Sequence, residues 1–334
     1  MRACRREPVP YTPIWLMRQA GRYMAEYRAV RAGHTMLELC KSPDLVAEVT
    51  TFARRRIGAD AAILFADLLL VVEPLGLKLT FEAGEGPVID PPVRGGRAVD
   101  SLREVQPAEL SYVYDAVRAT RAALEDGIPL IGFAGAPFTV ASYLVEGRGS
   151  RHFEHVKAFM YGDEGAWNAL MSKIVRAQVG YLNAQVEAGC QALQVFDSWV
   201  GALSPADYRR YAAPHTKALL AGIAPGVPVI HFGTGTATLL GDMQAAGGDV
   251  IGLDWRVELG AAWRGLGDVA VMGNLDPLTL LAPADVLERE ARRVLEEAGG
   301  RPGHVFNLGH GVLPNTPVDA VVRLVDFVHE ASAR

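Results

Sequence analysis

Seven short apolar runs, separated by helical stretches, constrain the fold of this 334-residue chain more than any other feature. The runs are continuous rather than alternating, which is typical of parallel strands buried on both faces. A series of this length without a break in composition predicts a single (β/α)8 barrel domain over residues 1–334, with the active site at the C-terminal ends of the strands. The runs are residues 61–65, 129–137, 191–199, 228–235, 250–255, 269–277 and 304–311.

Seven runs leave one strand of such a barrel unassigned. The eighth strand is expected between Leu79 and Asp90, within a Gly- and Pro-rich β-excursion that includes the segment LKLTFEA. A doubly wound open sheet is the structural alternative. No GxGxxG follows the first run, which removes the main reason to favour a dinucleotide-binding fold.

Composition and charge restrict the partners of the chain. A net charge of -5 and a pI of about 5.9 argue against a nucleic-acid-binding surface. The longest apolar run is too short to span a membrane, and no signal peptide is recognised. Cys4, Cys40 and Cys190 are too few and too scattered for a disulfide framework, and no pair has zinc-ligand spacing. A cytoplasmic protein without membrane or nucleic-acid partners is therefore expected.

The stretch WLMRQAGRYMAEYR at residues 15–28 concentrates arginines near the N-terminus. Arg18 and Arg22 are spaced to meet on one helical turn or around a tight loop. Like charges at this spacing repel, so the pair makes most sense facing an anion. A solvated, arginine-rich leader is the alternative interpretation.

Polar residues recur at or just after the ends of the apolar runs. Asp67 has no cation within four residues and needs hydrogen-bond donors, from the protein or from a ligand. His310 lies between two glycines, whose bare backbone would admit a ligand; a core histidine bonded to a carbonyl is the competing interpretation. Tyr143 follows the second run and could reach a site or pack in the core. Ser198 lacks a GxSxG elbow and is predicted to be a hydrogen-bond donor rather than a nucleophile.

Other strand-end residues have structural interpretations. The glycine-rich FGTGT at 232–236 is similar to a phosphate-binding turn, although a lone pattern of this kind is weak. Ser204, Asp254 and Asp276 are expected to cap helices or to make structural hydrogen bonds.

Six segments together resemble the uroporphyrinogen decarboxylase family. They occur in family order between about residues 12 and 330: WLMRQAGRYMAEYR, FADLL, GFAGAPFTVASYLVEG, FDSWVG, GNLDP and FNLGHGVLPNTP. The resemblance implies a single (β/α)8 barrel, a cytoplasmic homodimer, and decarboxylation of the four acetate side chains of uroporphyrinogen III to give coproporphyrinogen III. It also implies that neither a metal nor an organic cofactor takes part. Ala25 stands where the family often has proline, a departure that does not touch the proposed chemistry.

The resemblance also assigns roles to individual residues. It implies four catalytic residues: Arg18, Asp67, Tyr143 and His310. It implies a wider substrate-binding set: Arg18, Gln19, Arg22, Ile63, Asp67, Tyr143, Phe196, Ser198 and His310. The substrate carries eight carboxylates, which the arginines and His310 would offset, and its pyrrole N–H groups would supply the donors that Asp67 lacks. Arg18 is favoured as the general acid by resemblance, with a carboxylate-bound proton or His310 left open.

Two other functions remain open. Methyltransferases of the same superfamily bind zinc through an HxC motif and a later cysteine, but no cysteine lies two residues after any histidine here. A tetrapyrrole carrier would share the pocket without the chemistry.

Overall fold

The computed structural model describes residues 1–82 and 86–334. Its strands, in chain order, are β1 (Ala62–Ile63), β2 (Lys78–Glu82), β3 (Gly86–Asp90), β4 (Leu130–Gly135), β5 (Ala192–Asp197), β6 (Val229–Gly233), β7 (Val250–Gly252), β8 (Ala270–Met272) and β9 (His304–Val305). Within the described residues, seven strands form one parallel sheet in the order β1-β4-β5-β6-β7-β8-β9. The seven apolar runs are therefore confirmed as seven parallel strands.

Helices alternate with these strands. They are α1 (Ala25–Ala32), α2 (Met36–Cys40), α3 (Pro43–Ile57), α4 (Gly96–Ser101), α5 (Ser111–Ala123), α6 (Pro137–Glu146), α7 (Glu154–Gly162), α8 (Glu164–Ala188), α9 (Pro205–Asp207), α10 (Ala213–Ala221), α11 (Leu240–Ala246), α12 (Leu259–Leu266), α13 (Ala284–Ala298) and α14 (Val318–Ala331). A π-helical turn, Tyr208–Ala212, joins α9 to α10. No helix of residues 1–82 and 86–334 is long and apolar enough to cross a membrane.

The prediction of a barrel strand between Leu79 and Asp90 is wrong. β2 and β3 pair with each other in an antiparallel sheet of their own, with Leu79 opposite Ile89. These two residues are the buried positions of the hairpin, whereas a barrel strand must bury both of its faces. Ala83, which the predicted excursion included, lies with residues 84 and 85 outside the described part of the chain.

The N-terminal segment instead lies against both edges of the parallel sheet. Ile14 forms a parallel bridge with Phe306, just after β9, and the Phe306 N–H donates to the Pro13 carbonyl at 2.8 Å. On the other side, the N–H of Asp60, just before β1, donates to the Ile14 carbonyl at 2.8 Å. The Asp60 carboxylate in turn accepts the Ile14 N–H at 2.7 Å. These bonds fix the loop that follows, which carries the arginines.

The two faces of the parallel sheet have different neighbours. Leu193 and Val195 of β5 belong to the apolar cluster that includes the buried side chains of α8. The opposite face of the sheet carries phenylalanines from adjacent strands. Phe196 meets Phe133 and Phe232 edge-on, with ring centroids 5.5 and 6.0 Å away. Because the strands are parallel, their C-terminal ends share one edge, which we call the mouth.

Candidate active site

Arg18 reaches the mouth from a strained loop. Its φ of 61° lies in the left-handed region, which a residue with a β carbon adopts only when the surrounding structure holds it there. A Cβ on Gly311 would come within 2.6 Å of Arg18 Cγ, so the arginine side chain lies across bare glycine backbone. The segment at residues 307–311 therefore makes room for Arg18, although the two are almost a whole chain apart in sequence.

The other glycine beside His310 also accommodates the protein itself. A Cβ on Gly309 would come within 2.8 Å of the Asp254 carbonyl carbon. The expectation was that these glycines admit a ligand. In the structure they admit the Arg18 side chain and the backbone after β7, and this packing sets the position of His310.

Asp67 lies half-buried after β1, at the mouth. Desolvation raises the pKa of its carboxyl group to about 6, although the N–H of Leu69, 2.9 Å from Oδ1, and the Arg18 guanidinium both favour the ionised form. Asp67 is therefore mostly ionised at pH 7. One backbone donor leaves room for further donors on this carboxylate, which can accept about four hydrogen bonds.

Tyr143, on α6, lies beside the same carboxylate. Its pKa is raised by burial first and by the Asp67 charge second, while the side chain of Trp199 and the Arg18 charge lower it. The Trp199 ring meets the Tyr143 ring edge-on at 5.6 Å. Tyr143 is thus half-buried, protonated at neutral pH and held by an indole at the end of β5.

His310 is a neutral donor in the free protein. Burial, together with the charges of Arg18 and Arg256, lowers its pKa to about 4. Its Nδ1 accepts the N–H of Gly311 at 2.7 Å, so the neutral ring carries its proton on Nε2. At pH 7 His310 therefore offers an N–H group rather than the positive charge that the sequence led us to expect.

The guanidinium of Arg18 acts electrostatically on three other sequence-predicted residues. Arg18 lowers the pKa of the carboxyl, phenol and imidazole groups at the mouth, those of Asp67, Tyr143 and His310. Arg22 is exposed on the same loop, and its charge lowers the pKa of a different phenol, that of Tyr27.

Gln19 lies beside Arg18 in sequence but is fully buried. Its amide oxygen accepts the Leu16 N–H at 3.2 Å, and its amide nitrogen donates to the Ala61 carbonyl at 3.1 Å. Its own carbonyl accepts the Tyr23 hydroxyl at 2.7 Å. Gln19 thus ties the arginine loop to the start of β1.

The three remaining predicted residues lie at or below the mouth. Ser198 is half-buried, and its carbonyl accepts the Thr234 hydroxyl at 2.5 Å. Phe196 lies at the centre of the phenylalanine group described above. Ile63, which is 8% exposed, occupies the last position of β1.

The glycine-rich turn at 232–236 binds a carboxylate of the protein itself. The N–H of Gly235 donates to the buried Asp254 carboxylate, which also accepts the backbone N–H of Arg256 at 2.9 Å. The expected structural role of Asp254 is confirmed. Ser204 and Asp276 likewise accept backbone N–H groups as caps.

Sequence reasoning missed three side chains that shape the mouth. Trp199 received no role from the sequence, yet it packs on Tyr143. Trp255 and Arg256 follow β7, where the interpretation stopped at the capping role of Asp254; Trp255 meets His310 edge-on at 6.3 Å. The signal that could have revealed them is the position of all three just after a strand.

Among the described residues, no group of three or more His, Cys, Asp or Glu side chains is placed to hold a metal ion.

Comparison with known proteins matches most of the chain to one family. A family model described as uroporphyrinogen decarboxylase (URO-D) matches residues 1–331. A uroporphyrinogen decarboxylase of Sorangium cellulosum is 58% identical over 98% of this chain and 95% of its own length. One from Carboxydothermus hydrogenoformans is 51% identical over 100% of this chain and 96% of its own length.

Solved structures resemble the chain in fold. A methyltransferase from Methanosarcina mazei superposes with a TM-score of 0.78 at 22% identity, covering 98% of this chain and 96% of the other. A putative vitamin-B12-independent methionine synthase from Listeria monocytogenes gives 0.60 at 12% identity, covering 97% and 98%. At these identities the likeness concerns the fold alone.

Proposed function

The chain belongs to the uroporphyrinogen decarboxylase family, and we propose that it converts the four acetate side chains of uroporphyrinogen III to methyl groups with release of CO2. The product is coproporphyrinogen III. One arrangement carries the assignment of the site: the Arg18 side chain lies across Gly311, the residue after His310, and its charge favours the ionised form of Asp67.

Asp67 binds the pyrrole N–H groups of the substrate. Its carboxylate has one backbone donor and a pKa raised to about 6 by desolvation, so further donors that converge on it relieve the cost of its burial. The ionised form then stabilises positive charge on the ring. This electrostatic stabilisation, in a site shielded from water, is the main catalytic contribution of Asp67.

The peripheral carboxylates of the substrate are bound by cations and by neutral donors. Arg18 and Arg22 supply charge, while His310 supplies an N–H at Nε2 and Ser198 and Tyr143 supply hydroxyl groups. Gln19, which the resemblance places in the substrate-binding set, also positions the arginine loop, because both ends of its amide are hydrogen-bonded within the protein.

The pyrrole ring serves as the electron sink. A proton added to the ring carbon next to the one bearing the acetate makes the ring a cation. The bond to the carboxylate then breaks, its electrons form an exocyclic methylene and neutralise the ring, and CO2 leaves. Protonation of the methylene and loss of the ring proton restore the pyrrole with a methyl group, so each acetate consumes one proton overall.

We assign the first proton to Arg18, as the resemblance favours; the proton later lost from the ring carbon returns to the Arg18 guanidine, so that solvent supplies only the proton added to the methylene. Tyr143 and His310 act as hydrogen-bond donors at neutral pH. Phe196 and Ile63 supply apolar walls, which exclude water and strengthen the interaction of Asp67 with the ring. No metal or organic cofactor enters any step.

The proposal extends to the architecture. Residues 1–334 form a single (β/α)8 barrel, in which the segment around Ile14 takes the place of the eighth strand; its bonds to residues beside β9 and β1 support this closure. The protein is a cytoplasmic homodimer. Exposed Leu278 and Leu281 beyond β8 favour a subunit contact, and free cysteines suit a reducing compartment.

Anaerobic incubation of the purified protein with uroporphyrinogen III, followed by chromatography of the oxidised products, tests the function. We expect the heptacarboxylate, hexacarboxylate and pentacarboxylate to appear in turn and coproporphyrinogen III to accumulate. Recovery of the octacarboxylate alone would refute catalysis, and a tetrapyrrole carrier would then remain.

A further inference from the structure

Arg256 follows β7 at the mouth, and the site assignment above leaves it without a role. Its side chain is 51% exposed, whereas that of its ion-pair partner Asp254 is 1% exposed. The Arg256 Nη1 donates to Asp254 Oδ2 at 2.8 Å, and the Arg256 backbone N–H donates to Oδ1 at 2.9 Å. One buried carboxylate therefore fixes both the backbone and the side chain of this arginine.

An indole holds the other side of the same guanidinium. The central carbon of the Arg256 guanidinium lies 3.9 Å from the centroid of the Trp255 ring, within the range of a favourable cation–π contact. The segment that carries both residues is rigid, because the Asn274 amide donates to the carbonyls of Asp254 and Val257, each at 2.8 Å. The orientation of Arg256 is thus set before any ligand arrives.

The Arg256 guanidinium, although fixed by Asp254 and Trp255, still has N–H groups that donate to no described residue. Among residues 1–82 and 86–334, its side chain donates only to Asp254, through Nη1. Stacking on an indole leaves the N–H groups in the plane of the guanidinium directed away from the ring, and this planar fork matches a carboxylate.

The position of Arg256 relates it to the candidate catalytic group. Trp255, under the guanidinium, meets the His310 ring edge-on at 6.3 Å. Arg18 lies across Gly311, the residue after His310, and Arg256 lies over Trp255, so the two arginines flank the same imidazole, whose pKa both charges lower. A carboxylate near His310 would thus meet Arg18, the Nε2–H of His310 and Arg256.

We propose that Arg256 is a further substrate-binding residue: its free guanidinium edge, held between Asp254 and Trp255 beside His310, binds a peripheral carboxylate of the substrate. The inference rests on the proposed function, since the anion it binds belongs to the tetrapyrrole. Because the guanidinium is already oriented, it contributes to substrate affinity and lies outside the bond-breaking step.

Steady-state kinetics with uroporphyrinogen III test this role in Arg256→Met, which keeps an apolar stem over Trp255 but removes charge and donors. Arg323→Met is the matched control, because Arg323 is 55% exposed, makes one ion pair and lies on α14. We expect KM of Arg256→Met to rise about tenfold with kcat within about twofold, and Arg323→Met to behave like the wild type. Arg256→Lys should fall between them. The dependence of log KM on log salt should also become less steep in Arg256→Met.

A second measurement separates this inference from the proposed function. Quenching of uroporphyrin I fluorescence reports binding of an octacarboxylate tetrapyrrole without turnover. Weaker binding by Arg256→Met than by Arg323→Met supports the role of Arg256 even if the wild type proves inactive. Equal KM and equal porphyrin affinity in the two variants would overturn it, and so would a fall in kcat at unchanged KM.

Discussion

Asp67 and Asp197 are both aspartates at the mouth ends of strands, and both have pKa values raised by burial, to about 6 and about 7. Their surroundings differ. Asp67 is half-buried and faces Arg18, whereas Asp197 is fully buried and its Oδ1 accepts the Thr139 hydroxyl at 3.0 Å. Asp197 Oδ2 has no hydrogen-bond partner among the described residues.

The contrast shows that a raised pKa does not by itself identify a catalytic carboxylate. Desolvation acts on both groups, but a ligand can reach only the one beside the arginine loop. Asp197 instead joins β5 to α6: Thr139 bonds its carboxylate and also accepts the Trp199 N–H at 3.2 Å. Asp197 thus supports the tryptophan that packs on Tyr143.

Replacing each aspartate by asparagine gives the largest expected difference. Asp67→Asn keeps the shape but removes the charge that stabilises the cationic ring, and we expect kcat to fall by about 10²- to 10³-fold with a smaller change in substrate affinity. Asp197→Asn should retain kcat within a few-fold. Anaerobic turnover assays with product chromatography measure both, and near-wild-type turnover by Asp67→Asn would exclude its electrostatic role.

Displacing the Arg18 side chain removes the neighbouring cation that distinguishes the Asp67 carboxylate from that of Asp197. In Gly311→Ala the new methyl group would lie within 2.6 Å of Arg18 Cγ, so the Arg18 side chain must shift from its present position. We expect kcat/KM to fall by about tenfold to 100-fold with the fold retained, because misplaced catalytic groups cost about this much. Gly241→Ala, where an added Cβ meets nothing within 4 Å, is the control. If both variants keep full activity, the position of Arg18 is not important.

The pH dependence of activity tests which carboxylate the reaction uses. Asp67 must be ionised to stabilise the ring, and its pKa in the free protein is raised to about 6. We expect kcat/KM to decline about tenfold per pH unit below this pKa and to level off above it. The decline should be absent from the residual activity of Asp67→Asn and present in Asp197→Asn. A decline centred instead near pH 4 would mean that Asp67 titrates at the ordinary value of an aspartate and that burial does not raise its pKa.

Local patterns in the sequence predicted much of the fold. The apolar runs identified the seven parallel strands. The eighth strand was misassigned because the hairpin of β2 and β3 is also a β pattern. Nothing local showed that the segment around Ile14 pairs next to β9, since that contact spans nearly the whole chain.

The candidate site followed from the resemblance rather than from spacing. Spacing could not show that both ends of the Gln19 amide are hydrogen-bonded to backbone groups, those of Leu16 and Ala61. It also could not show that Gly311 accommodates Arg18, because that contact joins residues nearly 300 positions apart. Arg256 was missed because its partner, Asp254, was read only as a cap.

The last expected effect concerns stability rather than turnover, and it arises from Asp197. A carboxyl group whose pKa is raised from 3.8 to about 7 on folding binds more protons in the native than in the unfolded state. Stability is therefore highest below the unfolded pKa and is lost as the pH rises through the folded pKa. Asp197→Asn removes this loss, so its free energy of unfolding relative to the wild type should increase between pH 5 and pH 8, by up to about 2–3 kcal/mol.

Urea unfolding at the two pH values measures this difference. At pH 5 the folded wild-type Asp197 is protonated but its unfolded form is already ionised, so Asp197→Asn should be more stable by about 1–2 kcal/mol at this pH, and the difference should widen toward pH 8. Asp319→Asn is the control, because the Asp319 side chain is 95% exposed and its replacement should change stability by less than about 0.5 kcal/mol at either pH. A pH-independent difference between Asp197→Asn and the wild type would mean that Asp197 keeps its ionisation state on folding, and the contrast with Asp67 would then rest on access to Arg18 alone.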